Sequence, residues 1–384
     1  MSFASLALIC LVGIAGPVLA VPPRWGLPVV VGELLVGIAF GPMGLAQLHP
    51  TQPTFAFLAN VGFALVMFVA GSHVPVSDRR LRQALPVGVL RAVVVGVVSV
   101  PIALAIGRAF GSGHPALLAV LLSSSSAALV LPIVDALKLE GTDILQLLPQ
   151  VAAADAACIV ALPLVIDPAR AGRAAVGAVV VVACAGAVFV GLRFTERHGW
   201  RKRLHHLSER RKFALELRVN LAILFGLAAI ARTSGVSIML AGFAFGLAVA
   251  AVGEPRRLTR QLFAVSDGFF SPLFFIWLGA SLDLRALGRH PALIGLGLAL
   301  GLGAVLAHLV PRLTGQPASL GALAAAQLGV PVAAATLGTQ SHLLADGEPA
   351  ALILGALVTI AIASPAATLA ARRTASPRDA AAAP

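Results

Sequence analysis

Long apolar runs, separated by short clusters of charge, proline and glycine, recur along the whole chain. A helix needs about 20 mostly apolar residues to cross about 30 Å of hydrocarbon. Thirteen stretches fit that requirement: residues 2–21, 28–45, 54–72, 84–107, 115–137, 144–166, 174–192, 219–235, 237–253, 262–284, 290–311, 319–344 and 350–371. The first lacks the basic leading region of a secretory signal, so it reads as a span that stays in the membrane. Residues 372–384, rich in Ala and Pro, read as a disordered tail.

The basic residues test this count. Loops after odd-numbered spans hold 21 Lys and Arg, loops after even-numbered spans hold 6 when Arg232 at the end of the eighth span is counted with them, and Arg91 lies within the fourth span. By the positive-inside rule the odd loops face the cytoplasm. The chain is therefore expected in the cell (inner) membrane, N-terminus outside and C-terminus cytoplasmic. The loop from Arg193 to Arg218 carries nine basic residues, which suit a linker beside anionic head groups. No nucleic-acid partner is expected.

That loop and the seventh span leave six spans on either side, so the two halves have inverted topology. Inverted repeats with discontinuous helices near mid-membrane are a common build of secondary transporters. Matching interruptions are present. Span five has Ser123-Ser124-Ser125-Ser126 followed by Pro132, and span twelve, fifth in the second half, has Gln327-Leu328-Gly329-Val330-Pro331. The expected fold is an all-α polytopic membrane protein with 13 transmembrane helices, built as two inverted six-helix repeats whose broken helices cross at the midplane.

Composition narrows the function classes. Of 384 residues, 59% are apolar and 11% charged, against about 45–50% and about 25% in soluble domains. Soluble and disordered readings fall. Cys10, Cys158 and Cys184 all lie in apolar stretches without metal-ligand spacing, and read as small buried hydrophobes.

A charge at membrane depth is costly enough to be a site hypothesis by default. Asp155, halfway through span six, is the deepest carboxylate, with no basic residue within ten positions. A lone carboxylate there holds a bare cation or a proton, and the two compete. Ser125 and Ser126 supply hydroxyls and freed carbonyls for a dehydrated cation, and Gln327 is an accessory candidate on the opposing break. Glu33 in span two is a further accessory candidate, although pairing with Arg24 or Arg91 is an equally open reading. Arg91 is expected to snorkel, Asp267 to cap a helix, and His308 and Arg312 to lie at the interface.

Several strings resemble the monovalent cation:proton antiporter superfamily, the sodium/hydrogen exchanger family, in the branch with the glutathione-gated potassium efflux relatives. They are Gly32-Glu33-Leu34-Leu35-Val36-Gly37 running to Gly41-Pro42-Met43-Gly44-Leu45, Met67-Phe68-Val69-Ala70-Gly71, Ser124-Ser125-Ser126-Ala127, Leu240-Ala241-Gly242-Phe243-Ala244-Phe245-Gly246-Leu247, and Phe270-Ser271-Pro272 running to Leu278-Gly279 and closing with Asp283. The resemblance covers residues 20–370 and implies that Asp155 is the ion-binding aspartate. It also implies a transmembrane antiporter domain over 1–371. Spans 4–6 and 11–13 would form the ion-transporting core, spans 1–3 and 8–10 a scaffold that forms a homodimer, and span 7 a linker. Departures are equally specific. Ala154 stands where electrogenic members have a second Asp or an Asn, residues 290–307 contain no lysine, Ser72 replaces a frequent carboxylate, and Gly329-Val330-Pro331 lacks the Glu of the potassium-efflux string. No GxGxxG fingerprint follows the last span, so no cofactor is expected.

The reading is a secondary active antiporter, not an enzyme, exchanging protons for Na⁺ or K⁺ by alternating access and electroneutrally. The alternatives are a potassium efflux transporter of the glutathione-gated type without its regulatory domain, or a non-transporting sensor of the same fold. An organic-anion carrier lacks a deep cation to receive its substrate. An intramembrane aspartyl protease needs two aspartates sharing a proton, and only Asp155 is deep enough.

Overall fold

A computed structural model describes residues 1–21, 29–72, 79–166, 171–198, 215–234, 236–253, 262, 264–282 and 284–374. Every extended element among them is helical. In chain order these are α1 (Phe3–Gly13), α2 (Ala15–Ala20), α3 (Val29–Phe40), α4 (Pro53–Ser72), α5 (Arg79–Phe110), α6 (Pro115–Ser123), α7 (Ala127–Ala136), α8 (Thr142–Ile166), α9 (Ala171–Arg197), α10 (Leu215–Thr233) and α11 (Ile238–Val252). A π-helical turn (Ser266–Phe270) then leads into α12 (Ser271–Ser281). α13 (Leu284–Arg289), α14 (Pro291–Leu309), a 3₁₀ turn (Val310–Thr314), α15 (Ala318–Ala324), α16 (Gly329–Gln340) and α17 (Glu348–Thr374) complete the chain.

Against the thirteen expected spans, eight stretches among the described residues are long and apolar enough to cross a bilayer, and three shorter apolar helices accompany them. The tail beyond Thr374, the basic cluster within 199–214, Arg24 and Asp283 lie outside the described residues.

The chain divides into two compact units. The first comprises residues 1–14, 33–78 and 167–281. Its centre is α4 against α11 and α12, where glycines bring backbone onto backbone. A Cβ at Gly71 would strike the Phe243 carbonyl, and one at Gly246 the Phe68 carbonyl. Small residues at such crossings suit helices in lipid, whose association rests on close packing rather than on escape from water. Around these contacts Phe63 stacks on Phe274 at 4.7 Å and Phe68 meets Phe245 at 5.0 Å. The Trp277 indole N–H donates to the Pro50 carbonyl at 3.0 Å.

The second unit comprises residues 15–32, 79–166 and 282–384. Here α5 packs on α8 and α6, α14 packs on α17 and α5, and α15 and α16 pack on α17 and α8. The two expected interruptions fall inside this unit, between α6 and α7 and between α15 and α16.

Three expectations need correction. Arg91 does not snorkel: it is 2% exposed and binds the 3₁₀ turn, Nε donating to Thr314 Oγ1 at 3.2 Å and Nη2 to the Thr314 carbonyl at 3.3 Å. His308 is not interfacial but 1% exposed. Among the cysteines only Cys158 is buried, while Cys10 lies on the protein surface, where an apolar thiol suits contact with lipid.

Candidate functional site

Span five breaks because its serines satisfy the carbonyls that a continuing helix would use. Ser123 Oγ donates to the Ala119 carbonyl at 2.8 Å, and Ser124 Oγ to the Leu121 carbonyl at 3.0 Å. Such local bonds offer the backbone an alternative to the helix ladder. Ser124 and Ser126 are accordingly extended, and α7 restarts at Ala127. The second break follows from Pro331, whose missing N–H cannot bond back to Gln327. Proline is tolerated in a first turn, and α16 starts at Gly329, just ahead of it.

The two interruptions cross. The Ser126 N–H donates to the Ala326 carbonyl at 2.8 Å, and Ser125 Oγ to the Ala324 carbonyl at 2.7 Å. Ser124 Oγ also faces Gln327 Oε1, so its one proton is shared between that oxygen and the Leu121 carbonyl. The Gln327 N–H in turn donates to Thr359 Oγ1 of α17 at 3.3 Å. Four half-helix ends therefore meet here: the C-terminal ends of α6 and α15 and the N-terminal ends of α7 and α16.

Asp155 completes the arrangement from α8. It is 2% exposed, and its Oδ2 accepts the Ala127 N–H at 2.9 Å. That amide is one of the donors every helix start leaves without a partner, so the carboxylate caps α7 from a neighbouring helix. One turn on, Cys158 Sγ lies 3.5 Å from Ser123 Oγ and ties the same face of α8 to α6.

His308 of α14 stands on the other side of Ser125. Its Nδ1 lies 2.8 Å from the Ala304 carbonyl, which can only accept, so Nδ1 carries a proton there. Its Nε2 lies 3.2 Å from Ser125 Oγ. In the neutral ring Nε2 is an acceptor, so the one Ser125 proton serves two acceptors, this nitrogen and the Ala324 carbonyl. Turning the hydroxyl towards His308 leaves the carbonyl oxygen available to a cation.

Thus Asp155, Ser125, Ser126 and Gln327 lie at one crossing, all buried. The Ser126 hydroxyl does not cap α7. Glu33 belongs to the first unit instead, where it is buried with Oε2 unbonded and Asp267 acts on it electrostatically. Sequence reasoning left Ser124, His308 and Thr359 out of the site. The serine run signalled the first. A single polar residue in an apolar helix says nothing of which neighbour it faces, so the other two had no signal.

The family model for the transmembrane region of sodium/hydrogen exchangers matches residues 6–371. The chain belongs to this family. It is 24% identical over 382 residues to a putative Na⁺/H⁺ antiporter, YjbQ, of Bacillus subtilis, covering 93% of this chain and 61% of that relative. It is 25% identical over 359 residues to the Na⁺/H⁺-K⁺ antiporter GerN of Bacillus cereus, covering 89% of each. The chain thus spans about three fifths of the first relative's length and most of the second's. A solved structure of the sodium proton antiporter MjNhaP1 from Methanocaldococcus jannaschii at pH 8 superposes with a TM-score of 0.64 at 14% identity, covering 96% of both chains. That likeness is one of fold; the family model and the apolar helices make the chain a multi-pass, helical membrane protein of the exchanger family.

Proposed function

We propose that this exchanger-family chain is a secondary active antiporter that trades protons for Na⁺ or K⁺ by alternating access. The observation that carries the reading is the seat of Asp155, a buried carboxylate on the first amide of a half-helix where two interrupted helices cross. An ion arriving there exchanges its hydration shell for the carboxylate, the Ser125 and Ser126 hydroxyls and backbone carbonyls that the breaks leave outside helix ladders. A proton arriving there binds the same carboxylate. The two exclude each other, and that exclusion couples their fluxes. Gln327 holds the crossing together through Ser124.

The names of the two Bacillus relatives support Na⁺ or K⁺ as the cation. With Ala154 beside the aspartate, no second carboxylate stands next to Asp155 to carry another proton, and in this reading exchange is one for one. In this reading spans 4–6 and 11–13 form the ion-transporting core. Spans 1–3 and 8–10 form the scaffold of a homodimer, and the basic loops lie in the cytoplasm. The direct test is reconstitution into liposomes with an internal pH dye, adding Na⁺, K⁺ and Li⁺ in turn. A cation-dependent pH change is the expected result, and none with any of the three would overturn the reading.

A further inference from the structure

A buried ring nitrogen is costly unless it is hydrogen-bonded, and His308 buries two where an apolar side chain of that size would fill the same space. Both are used. Nδ1–H donates to the Ala304 carbonyl one turn back at 2.8 Å, which in the neutral ring leaves Nε2 as an acceptor, 3.2 Å from Ser125 Oγ. The residue is 1% exposed. Its backbone is held closely as well: an added Cβ at Gly321 of α15 would lie 2.6 Å from the His308 carbonyl, so α15 lies directly against α14 here.

One turn beyond Gly321, α15 ends at Ala324, whose carbonyl takes the Ser125 hydroxyl at 2.7 Å. The last carbonyls of a helix have no amide partner within it, so such an oxygen is open to a cation once nothing else occupies it. The occupant is a single proton with two places to go, the Ala324 carbonyl and His308 Nε2. Turned to the carbonyl, the Ser125 proton covers that oxygen. Turned to His308, it leaves the carbonyl oxygen uncovered and points away from it.

Ser124 repeats the arrangement at the neighbouring half-helix end. Its one proton is shared between the Leu121 carbonyl, in the last turn of α6, and Gln327 Oε1. In both places a serine of the first break covers a carbonyl at the C-terminal end of a half-helix. In both, a side chain from elsewhere in the unit offers the serine proton a second acceptor. Gln327 does this for Ser124, and His308 does it for Ser125.

We propose that His308 is a positioning residue for the monovalent cation: it receives the Ser125 hydroxyl when the ion arrives, so that the Ser125 oxygen and the Ala324 carbonyl both turn to the ion. No proton changes owner in this step. The hydroxyl rotates about its C–O bond, one hydrogen bond breaks and another forms. The inference rests on the antiport reading, since the ion is the one assigned to Asp155. A proton arriving at Asp155 asks nothing of Ser125, so His308 acts on the binding of the cation and not on that of its competitor.

Cation affinity is read without transport, from the thermal unfolding midpoint of the purified full-length protein as Na⁺, K⁺ or Li⁺ replaces choline at constant ionic strength. His308→Phe keeps a flat ring without an acceptor. His308→Asn keeps the donor to Ala304 but falls short of Ser125, and serves in its place if the cation-free midpoint shows the Phe variant unfolded. His308→Gln puts an amide oxygen at the reach of Nε2. Loss of the acceptor is expected to weaken cation affinity about three- to tenfold, the range of one neutral hydrogen bond, and His308→Gln to recover most of it. In a Ser125→Ala background the same loss should change nothing further, an outcome that a packing role does not produce. Unchanged affinity without the acceptor, no recovery with Gln, or an additive loss beside Ser125→Ala overturns the proposal. A wild type that no cation stabilises overturns it together with the ion site. A wild type that binds cations in this assay but moves no protons in liposomes refutes the antiporter alone, and His308 is then judged on binding.

Discussion

Replacing Asp155 separates its structural role, holding the crossing, from the role proposed for it, carrying the exchange. In Asp155→Asn the amide oxygen still faces the Ala127 N–H, 2.9 Å from the present Oδ2. What changes is the strength of that bond. A hydrogen bond to a charged group contributes about 1.5–3 kcal/mol and one between neutral groups about 0.5–1.5. The substitution therefore costs about 1 kcal/mol when the native carboxylate is ionised, and almost nothing when it is protonated. Asp155→Ala differs in kind. It leaves the buried Ala127 amide without a partner, at about 1–3 kcal/mol, and opens a void between α8 and α7. The order of stability is thus wild type, Asn, Ala, with the larger step at Ala. Exchange follows another order, because neither Asn nor Ala releases a proton when a cation arrives: both variants are inactive. Thermal unfolding of the purified variants gives the first order, and cation-triggered dye responses in liposomes give the second. Wild-type exchange by a well-folded Asp155→Asn protein refutes the assignment of the ion site. An Asn variant less stable than the Ala variant refutes the capping geometry.

Three further outcomes are expected. A proton-for-cation exchange of one to one is blind to voltage, whereas one net charge moved through 100 mV is worth about 2.3 kcal/mol; a reversal point of the pH gradient that follows a potential clamped with an untransported ion rules out electroneutrality. A cysteine introduced at Ser208 should resist impermeant thiol reagents in intact cells and react in inverted vesicles, and labelling from outside reverses the orientation. Gly279→Val drives a side chain into the Leu34 carbonyl and should destabilise the protein by about 1–3 kcal/mol or more, whereas Gly226→Ala meets nothing within 4 Å and should leave the unfolding midpoint where it is or raise it.

The elements that the sequence revealed were those with a repeated or paired signal. Thirteen apolar runs exposed the helices because a span repeats one simple requirement over about 20 residues. The serine run and the Gly-Val-Pro string exposed both breaks, since each works locally, by hydroxyls taking carbonyls or by a missing amide. Asp155 stood out because carboxylates are costly in an apolar run. Contacts between distant segments had no such signature. Arg91 read as a snorkelling residue, because nothing in its own helix tells that the turn at Thr314 folds back onto it. His308 read as interfacial from its place near a span's end, yet α14 continues into a 3₁₀ turn that keeps it inside the unit. Gly71, Gly246, Gly37 and Gly279 were visible as letters of family strings, while their physical role, the meeting of carbonyl and Cα across helices, needed the packed structure.

The four half-helix ends at the crossing bear on leakage. A helix terminus behaves as about half a charge, positive at the start and negative at the end. Two starts, of α7 and α16, and two ends, of α6 and α15, meet there, so their partial charges sum to about zero. The carboxylate of Asp155 is then the net charge of the crossing. On the exchange reading, the empty crossing is an anion, and with a proton or a monovalent cation aboard it is neutral. Taking an uncompensated charge to the centre of a bilayer costs about 2.5–3.5 kcal/mol on insertion scales, a factor of about 70–370 in rate if it all appears in the barrier. An unladen crossing is thus held back and a laden one is not. On the exchange reading, the balance of dipoles works as a ratchet pawl: the carrier returns only with a passenger, and gradients of sodium, potassium or protons do not run down through an idle protein.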